Sequence, residues 1–215
     1  YLIDQYHIQC DYKKGIAHPN HKQKYCEESK QYVDHMNKNY DYHDIVYLSD
    51  NEMRDVTGSN TYYGGSYDEG EAPCHPLNYA LGIAKAAILA GAKIFENSSA
   101  LSYKINDDHV KVITKDGSIK ADRVVLACNG YLGNLEKSLT SKILPMNNYI
   151  VATEALDDQT VKKINPRDIA FADSRFVINY FRLSADKRLL FGGGENYSQE
   201  LSNNIIPIVT KPLEK

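Results

Sequence analysis

The chain has 215 residues, of which 42% are hydrophobic and 25% are charged, and its net charge is −3. These values predict a globular protein of one or two domains with a substantial core. The negative charge, with no block of lysine and arginine, gives no support for nucleic-acid binding. The longest apolar stretch, about residues 79–92, is too short and interrupted to cross a bilayer, and no signal peptide is visible.

The four cysteines, Cys10, Cys26, Cys74 and Cys128, are widely spaced and form no C-x-x-C pair. Neither a zinc site nor a redox dithiol is therefore predicted. Reduced thiols and a cytoplasmic location are expected. The chain starts at Tyr1 inside an ordered-looking segment and ends without an evident closing element, so we expect it to be part of a longer protein.

The first third of the chain predicts alternating short strands and helices. Strand patterns cover residues 6–12 and 15–18 with a turn between them, and the cluster His18, Asn20 and His21 is interpreted as a turn and not as a metal site. A polar helix follows over about 21–39, with its inner side formed by Tyr25, Ser29, Tyr32, Val33 and Met36.

A strand is predicted over residues 45–48, and Ser49 with Glu52 forms a capping box that opens a short helix. The glycine- and tyrosine-rich stretch 62–70 is expected to be a loop or an irregular strand.

The strongest helix pattern covers residues 76–90, with Pro76 at the first position, apolar residues at helical spacing and Gly91 as the stop. A cap or packing role for His75 just before it is favoured over catalysis. A short strand is predicted over 93–95. A three-stranded antiparallel meander then follows, with strands at 101–105, 110–114 and 118–120.

A strand is predicted over residues 123–127, because its run Val124-Val125-Leu126-Ala127 has no polar alternation, which is typical of a parallel strand buried on both faces. Ligands bind beyond the carboxyl ends of such strands, and the small residues at 128–130 predict a cofactor contact there. Antiparallel strands are predicted at 148–154, 176–183 and 188–193, the last two joined by a hairpin loop at 184–187. The glycines at 192–194 are interpreted as a strand terminus close to other backbone.

Three motifs in order carry a resemblance to a known family. C-H-P-L-N-Y-A-L-G from Cys74, V-V-L-A-C-N-G-Y-L-G from Val124 and N-Y-F-R-L-S-A-D-K-R-L-L-F-G-G-G from Asn179 resemble the FAD-dependent D-amino-acid oxidase superfamily. Within it, they are most similar to the γ-glutamylputrescine oxidoreductases and their close relatives. The opening Q-Y-H-I-Q-C-D-Y-K-K-G from Gln5 extends the resemblance over nearly the whole chain.

The resemblance implies a mixed α/β fold, with part of a Rossmann-like FAD-binding domain that includes the meander and a substrate domain built on an antiparallel sheet. The substrate domain would comprise residues 1–66 and 141–215, and the FAD domain residues 67–140. The family's amino-terminal unit with its G-x-G-x-x-G loop and its carboxyl-terminal third have no counterpart here. We therefore expect the chain as given to hold FAD poorly.

The resemblance also assigns residues. Backbone contacts to FAD are expected from Ala100, Ala127, Cys128, Asn129 and Gly130, although a turn of this kind needs small residues in any case. Tyr180 and Arg182 lie two apart on a strand and so share a face, together with Phe176 and Ile178. A phenol and a guanidinium there would orient an amine substrate bearing a carboxylate, whereas a solvated Arg182 at a strand end is the alternative.

The implied activity is FAD-dependent oxidation of a small-molecule amine, such as γ-glutamylputrescine in putrescine catabolism, to an imine that hydrolyses to an aldehyde, with oxygen reduced to hydrogen peroxide. One alternative is a related oxidase or dehydrogenase acting on amino acids or N-methyl amines. Another is a non-catalytic binding module.

Overall fold

The computed structural model describes residues 1–196 and 204–213, which form two compact units. The first unit contains residues 1–83, 147–196 and 204–213, and the second contains residues 84–146. Helices and strands are mixed in the chain, so the predicted mixed α/β class is confirmed.

The described helices and strands, in chain order, are as follows. The helices are α1 (Leu2–Gln5), α2 (Cys26–Tyr40), α3 (Asp50–Thr57), α4 (Pro76–Leu89), α5 (Lys137–Thr140), α6 (Asp158–Ile164) and α7 (Ile206–Leu213). The strands are β1 (Ile16–Asn20), β2 (Ile45–Leu48), β3 (Tyr63–Asp68), β4 (Ser102–Ile105), β5 (Val110–Ile113), β6 (Ser118–Ala121), β7 (Asn147–Ala155), β8 (Ala170–Ala172), β9 (Tyr180–Leu183) and β10 (Arg188–Asn196).

The first unit is built on a seven-stranded sheet with the order β2-β3-β1-β8-β9-β10-β7. All neighbouring strands are antiparallel except β1 and β8, which run parallel. The predicted antiparallel pairing is therefore correct except between β1 and β8. Strand β8 was not among the predicted strands. The parallel contact joins the amino-terminal half of the sheet to the carboxyl-terminal half.

The core of this unit lies on one face of the sheet. Met53 and Val56 of α3 pack with Ala17 and Phe171, and each of these side chains is at most 1% exposed. The ring of Phe181 stacks on Phe171 at 4.6 Å between centroids and on Phe191 at 6.0 Å. This aromatic column links β8, β9 and β10, and Phe191 also belongs to a second buried cluster with Tyr149 and Val209.

The helices of the first unit follow local sequence signals. Helix α2 begins at Cys26 after a short 3₁₀ turn and ends at Tyr40, close to the predicted bounds, although Tyr32 of the predicted inner side is 53% exposed. The predicted capping box of Ser49 and Glu52 opens α3. Helix α4 begins at Pro76 as expected.

The strand predicted over residues 6–12 is wrong. The segment follows α1 directly and is irregular, and in it His7 and Asp11 adopt left-handed backbone angles of 49° and 50° in φ. Two such residues within five break an extended strand. Residues 10–15 instead run beside residues 71–75, joined by three backbone hydrogen bonds of 2.6–3.2 Å.

Three other strands differ from their predicted bounds. Residues 62–70 contain strand β3, which lies inside the sheet and has a register shift against β1 between the pairs Pro19–Gly65 and Asn20–Tyr63, so of the two expected alternatives the irregular strand forms. Strand β9 starts only at Tyr180, because Asp173 accepts backbone N–H groups from Arg175 and Asn179 and so folds the preceding residues into a loop. Strand β10 continues through the three glycines to Asn196.

The second unit contains the predicted meander. Strands β4, β5 and β6 pair antiparallel in sequence order, and the two turns close through backbone hydrogen bonds from Asn106 N–H to His109 O and from Thr114 N–H to Gly117 O. The meander could be predicted from the sequence because asparagine, aspartate and glycine at these turns are typical of hairpin turns.

The strands predicted over residues 123–127 and 93–95 do not form. Neither segment belongs to a sheet of the described chain, and Val125 is 85% exposed while Phe95 is 62% exposed. An apolar segment becomes a strand only where a neighbouring strand supplies hydrogen bonds, and the described residues place none beside these segments. The prediction of a buried parallel strand over residues 123–127 is therefore wrong for this chain.

Candidate functional site

One face of the seven-stranded sheet carries most of the polar side chains that were singled out. In the register, Tyr180 lies opposite Ala172, His18 lies opposite Ser66, and Ile16 lies opposite both Ala170 and Asp68. Since alternate residues of a strand share a face, Tyr180, Arg182, His18, Ser66 and Asp68 lie on the same side. We call this side the Tyr180 face. It is opposite to the face that carries Ala17 and Phe171.

Tyr180 lies over a glycine of the neighbouring strand. A Cβ atom built on Gly192 would stand 2.1 Å from the Tyr180 ring, so only glycine permits this position. The Tyr180 hydroxyl donates to Asn148 Oδ1 on β7, and burial raises the pKa of Tyr180. The close approach predicted for the three glycines is thus made by an aromatic ring, not by backbone, and it lies within a strand instead of at its end.

Arg182 is held by groups of its own unit. Its Nη1 donates to the Leu183 carbonyl at 3.1 Å and lies 3.6 Å from Asp11 Oδ2, and its Nη2 donates to the Cys74 carbonyl at 3.2 Å. The side chain is 17% exposed. Arg182 is therefore neither a solvated strand end nor a free guanidinium, because Asp11 already offsets its charge.

Phe176 and Ile178 do not extend this face as strand residues. They lie in the loop before β9, where Phe176 is 95% exposed and Ile178 is 46% exposed. The predicted common face is therefore limited to Tyr180 and Arg182.

A cavity of about 560 Å³ opens on the Tyr180 face. Its sheet side is lined by His18, Ser66 and Asp68, with Glu71 just beyond β3, and its helix side includes Glu28 and Tyr32 of α2. Ala172, the partner of Tyr180 in the register, also lines it. The cavity therefore reaches the strand next to Tyr180.

Asp68 is the most buried carboxylate on the sheet side of this cavity, with 6% exposure. Its Oδ1 accepts hydrogen bonds from the Tyr42 hydroxyl at 2.5 Å and from the backbone N–H of Gly70 at 2.8 Å. The hydrogen bond to Asp68 raises the pKa of Tyr42 to about 12. Glu71 lies beside it, with Oε2 at 2.7 Å from His18 Nε2.

The sequence prediction missed Asp68 and Glu71. The stretch 62–70 was treated as a loop or irregular strand, so the alternation that places Ser66 and Asp68 on one face was not applied. The interpretation of His18, Asn20 and His21 as a turn is also wrong for the first two, since both belong to β1. Across the described parts of the chain, no group of histidine, cysteine, aspartate and glutamate could hold a metal ion.

The predicted cofactor turn lies in the second unit. Residues Asn129–Tyr131 form a 3₁₀ turn, Asn129 adopts a left-handed φ of 50°, and a Cβ on Gly130 would meet no atom within 4 Å. Ala127 is also exposed, while Cys128 is half-buried. A pocket of about 280 Å³ lies beside the turn and is lined by Gly130 together with Leu132, Gly133, Asn134, Thr140, Ile143 and Pro145.

Two other singled-out residues have clear positions. Ala100 is exposed directly before β4. His75 Nδ1 accepts the backbone N–H of Asn78 at 3.3 Å, so His75 caps α4 as favoured from the sequence. No helix of the described residues is long and apolar enough to span a membrane.

The comparisons with known proteins place the chain in a family. The family model described as FAD dependent oxidoreductase (DAO) matches residues 1–212. The chain belongs to this FAD-dependent oxidoreductase family. Membership confirms the predicted resemblance and cofactor, FAD, and it favours an enzyme over a binding module.

Curated relatives cover nearly all of the chain. A probable oxidoreductase OrdL of Rhizobium meliloti (strain 1021) is 35% identical over 95% of the chain and 47% of the relative. The γ-glutamylputrescine oxidoreductase of Escherichia coli (strain K12) is 30% identical over 99% of the chain and 50% of the relative. The chain thus spans about half the length of the curated relatives it matches.

Solved structures with low sequence identity share the fold. The glycine oxidase from Bacillus cereus ATCC 14579 superposes with a TM-score of 0.77 at 17% identity, covering 99% of this chain and 58% of that one. The L-proline dehydrogenase from P. horikoshii gives 0.75 at 16% identity, covering 99% and 61%.

The turn at 127–130 fits contact with a flavin cofactor. Its residues are small and three of the four are exposed, and the open space at Gly130 leaves the backbone accessible to a ligand. The sequence contains no G-x-G-x-x-G loop for the pyrophosphate. The turn is therefore suited to contact one part of FAD, and this sequence has no loop of the kind that holds the pyrophosphate.

Proposed function

We propose that the full-length protein is an FAD-dependent amine oxidoreductase that converts a γ-glutamylputrescine-like amine to an imine, which hydrolyses to an aldehyde. The observation that carries the proposal is the family match over residues 1–212, joined by 30% identity to a γ-glutamylputrescine oxidoreductase over 99% of the chain. When bound, FAD supplies the oxidation by taking a hydride equivalent from the amine-bearing carbon and passing the electrons to oxygen as hydrogen peroxide.

The residues proposed to bind the substrate are Tyr180 and Arg182. Both lie on the Tyr180 face, and the register partner of Tyr180 lines the 560 Å³ cavity. The Tyr180 phenol would orient a polar group of the substrate. Arg182 has guanidinium N–H groups beyond those bound to Leu183 and Cys74, and these would reach a substrate carboxylate.

The cofactor is proposed to contact the backbone of Ala100, Ala127, Cys128, Asn129 and Gly130. We further propose that residues 67–140 belong to the FAD domain and residues 1–66 and 141–215 to the substrate domain. In support, the first unit brings residues 1–66 and 147–196 together around one sheet, while the meander and the turn lie in the second unit. Residues 67–83 also lie in the first unit, so the proposed boundary differs from the boundary between the two units at residues 83 and 84.

The proposal is tested with the full-length protein. It should purify yellow with flavin absorption and release hydrogen peroxide when γ-glutamylputrescine is added. Turnover of amino acids or N-methyl amines in place of γ-glutamylputrescine would change the proposed substrate. Electron transfer to a carrier in place of oxygen would change the proposed electron acceptor. A protein that stays colourless with added FAD would refute the flavoenzyme assignment.

The role of Tyr180 is tested by Tyr180→Phe. Removing one uncharged hydrogen bond costs about 1 kcal/mol, so kcat/KM for the amine should fall roughly five-fold while the flavin content stays unchanged. Tyr40→Phe is the control, because Tyr40 is 67% exposed at the end of α2. Loss of flavin from the Tyr180 variant would place this residue in the cofactor site instead.

A further inference from the structure

The cavity on the Tyr180 face has an unusual charge balance. Among the described residues, its lining includes four carboxylates, those of Glu28, Asp68, Glu71 and Asp173, but no lysine or arginine, and His18 is the only one of them whose side chain could carry positive charge. Asp173 is fully buried and paired with Arg175, so its charge is offset. The other three carboxylates remain to set the potential of the cavity.

Asp68 places an unpartnered oxygen in this space. The hydrogen bonds to Asp68 given by Tyr42, Gly70 and Glu71 all end on Oδ1, and no donor among the described residues reaches Oδ2. Within that same part of the chain, no buried side-chain oxygen lacks a hydrogen-bond partner. Oδ2 is therefore not fully buried, and the residue that carries it is 94% buried and lines the cavity.

Glu71 and Glu28 reinforce this position. Glu71 uses Oε2 to contact His18, and Glu28 extends from α2 without an ion pair in the described structure. A neutral His18 leaves the full charge of Glu71 in place, and a protonated one still leaves Asp68 and Glu28. A cavity with apolar and phenolic walls and uncompensated carboxylates attracts a cation that brings its own hydrogen-bond donors.

We propose that this cavity binds the alkylammonium group of an aliphatic amine, with Asp68 Oδ2 and Glu71 as its hydrogen-bond acceptors. The volume of about 560 Å³ falls within the range of small-molecule sites and accommodates a chain of several methylenes beside the charged group. This inference deepens the proposed function: identification of the ligand as a substrate rests on that function, whereas the binding of the cation does not.

The cation site is tested by calorimetric titration of the full-length holoprotein with tert-pentylammonium, which has three N–H donors and cannot be turned over to an imine because its amine-bearing carbon carries no hydrogen. The neutral comparison ligand is the matching alcohol, 2-methyl-2-butanol. We expect the cation to bind and the alcohol to bind at least ten-fold more weakly. Equal affinity for both ligands, or no binding of the cation, would overturn the proposal.

Two substitutions locate the binding. Glu71→Gln keeps the shape of the side chain and should weaken binding of the cation about ten-fold, and Asp68→Asn should do the same. The matched control is Glu69→Gln, since Glu69 is exposed on the same strand end and does not line the cavity. If Asp68→Asn unfolds the protein, as judged by circular dichroism, Glu71→Gln decides alone.

Unchanged affinity in Glu71→Gln, or an equal loss in Glu69→Gln, would show that the cation does not bind in this cavity. The result is separable from the proposed function. If the protein binds the cation in this way but releases no peroxide with any amine, the proposed cation site stands and the proposed oxidase activity is refuted.

Discussion

Two apolar segments of the chain have opposite fates. Phe171 in β8 is 1% exposed and stacks on Phe181, whereas Val125, in the apolar run of residues 124–127, is 85% exposed. Strand β8 is only three residues long, but it lies between β1 and β9 and is hydrogen-bonded to both. Burial here follows from neighbouring strands and not from the hydrophobicity of the segment itself.

The largest expected effect is on the buried side of this comparison. Phe171→Ala removes a ring from the centre of the aromatic column and should lower the free energy of unfolding by about 3–5 kcal/mol. Val125→Ala should change it by less than about 0.5 kcal/mol, because the side chain has little contact to lose. Urea denaturation of the 215-residue chain measures both.

Comparable losses in the two variants would contradict this difference in burial. Such a result would mean that residues 123–127 pack against structure in solution, and the exposure of Val125 would then be wrong.

The parts of the fold that were predictable have local causes. Ser49 and Glu52 predict the start of α3, Pro76 predicts the start of α4, and Asp116 with Gly117 predicts the second turn of the meander. Each of these signals acts through hydrogen bonds or backbone angles within a few residues. The helix α6 was missed although its signal was present. Asp157 caps it by accepting the N–H groups of Gln159 and Thr160.

The remaining features depend on distant residues. Nothing in A-F-A at 170–172 shows that β1, about 150 positions earlier, pairs with it in parallel. The acidic cavity similarly combines Asp68, Glu28 and Ala172 from three separate segments. For the candidate site, sequence motifs indicated Tyr180 and Arg182, but only the structure shows that Asp11 offsets the charge of Arg182.

A smaller effect is expected where a glycine makes room for a side chain. Gly192→Ala would place a methyl group 2.1 Å from the Tyr180 ring, and the displacement should cost about 1–3 kcal/mol. The control from the second unit is Gly117→Ala, where a Cβ meets no atom within 4 Å, and it should be nearly neutral. Equal melting temperatures for the two variants would show that Tyr180 does not lie over β10.

Both units also contain a tyrosine hydroxyl bound to a carboxylate, and we compare Tyr42 with Asp68 in the first unit and Tyr103 with Glu136 in the second, which respond to opposite ends of the pH scale. In the first unit, the hydrogen bond to Asp68 raises the pKa of Tyr42 from 10.0 to about 12. Between these values the folded state keeps a proton that the unfolded state loses, so stability falls as the pH rises. Burial also raises the pKa values of Tyr47 and Tyr62 to about 12, so Tyr42→Phe should reduce the alkaline loss, measured as melting temperature against pH, without abolishing it, and Tyr40→Phe should leave it unchanged.

In the second unit the carboxyl group responds, and the effect should be smaller because Glu136 is only half-buried, whereas Asp68 in the first pair is 6% exposed. Hydrogen bonds from Ser138 and then from Tyr103 lower the pKa of Glu136 from 4.5 to about 2. A depressed carboxyl pKa contributes stability that is complete above about pH 4.5 and is lost as the pH falls toward 2. Glu136→Gln should reduce the fall in melting temperature between about pH 4.5 and 2 and leave the melting temperature at higher pH unchanged. An unchanged dependence of the melting temperature on acid pH would show that Ser138 and Tyr103 do not hold Glu136.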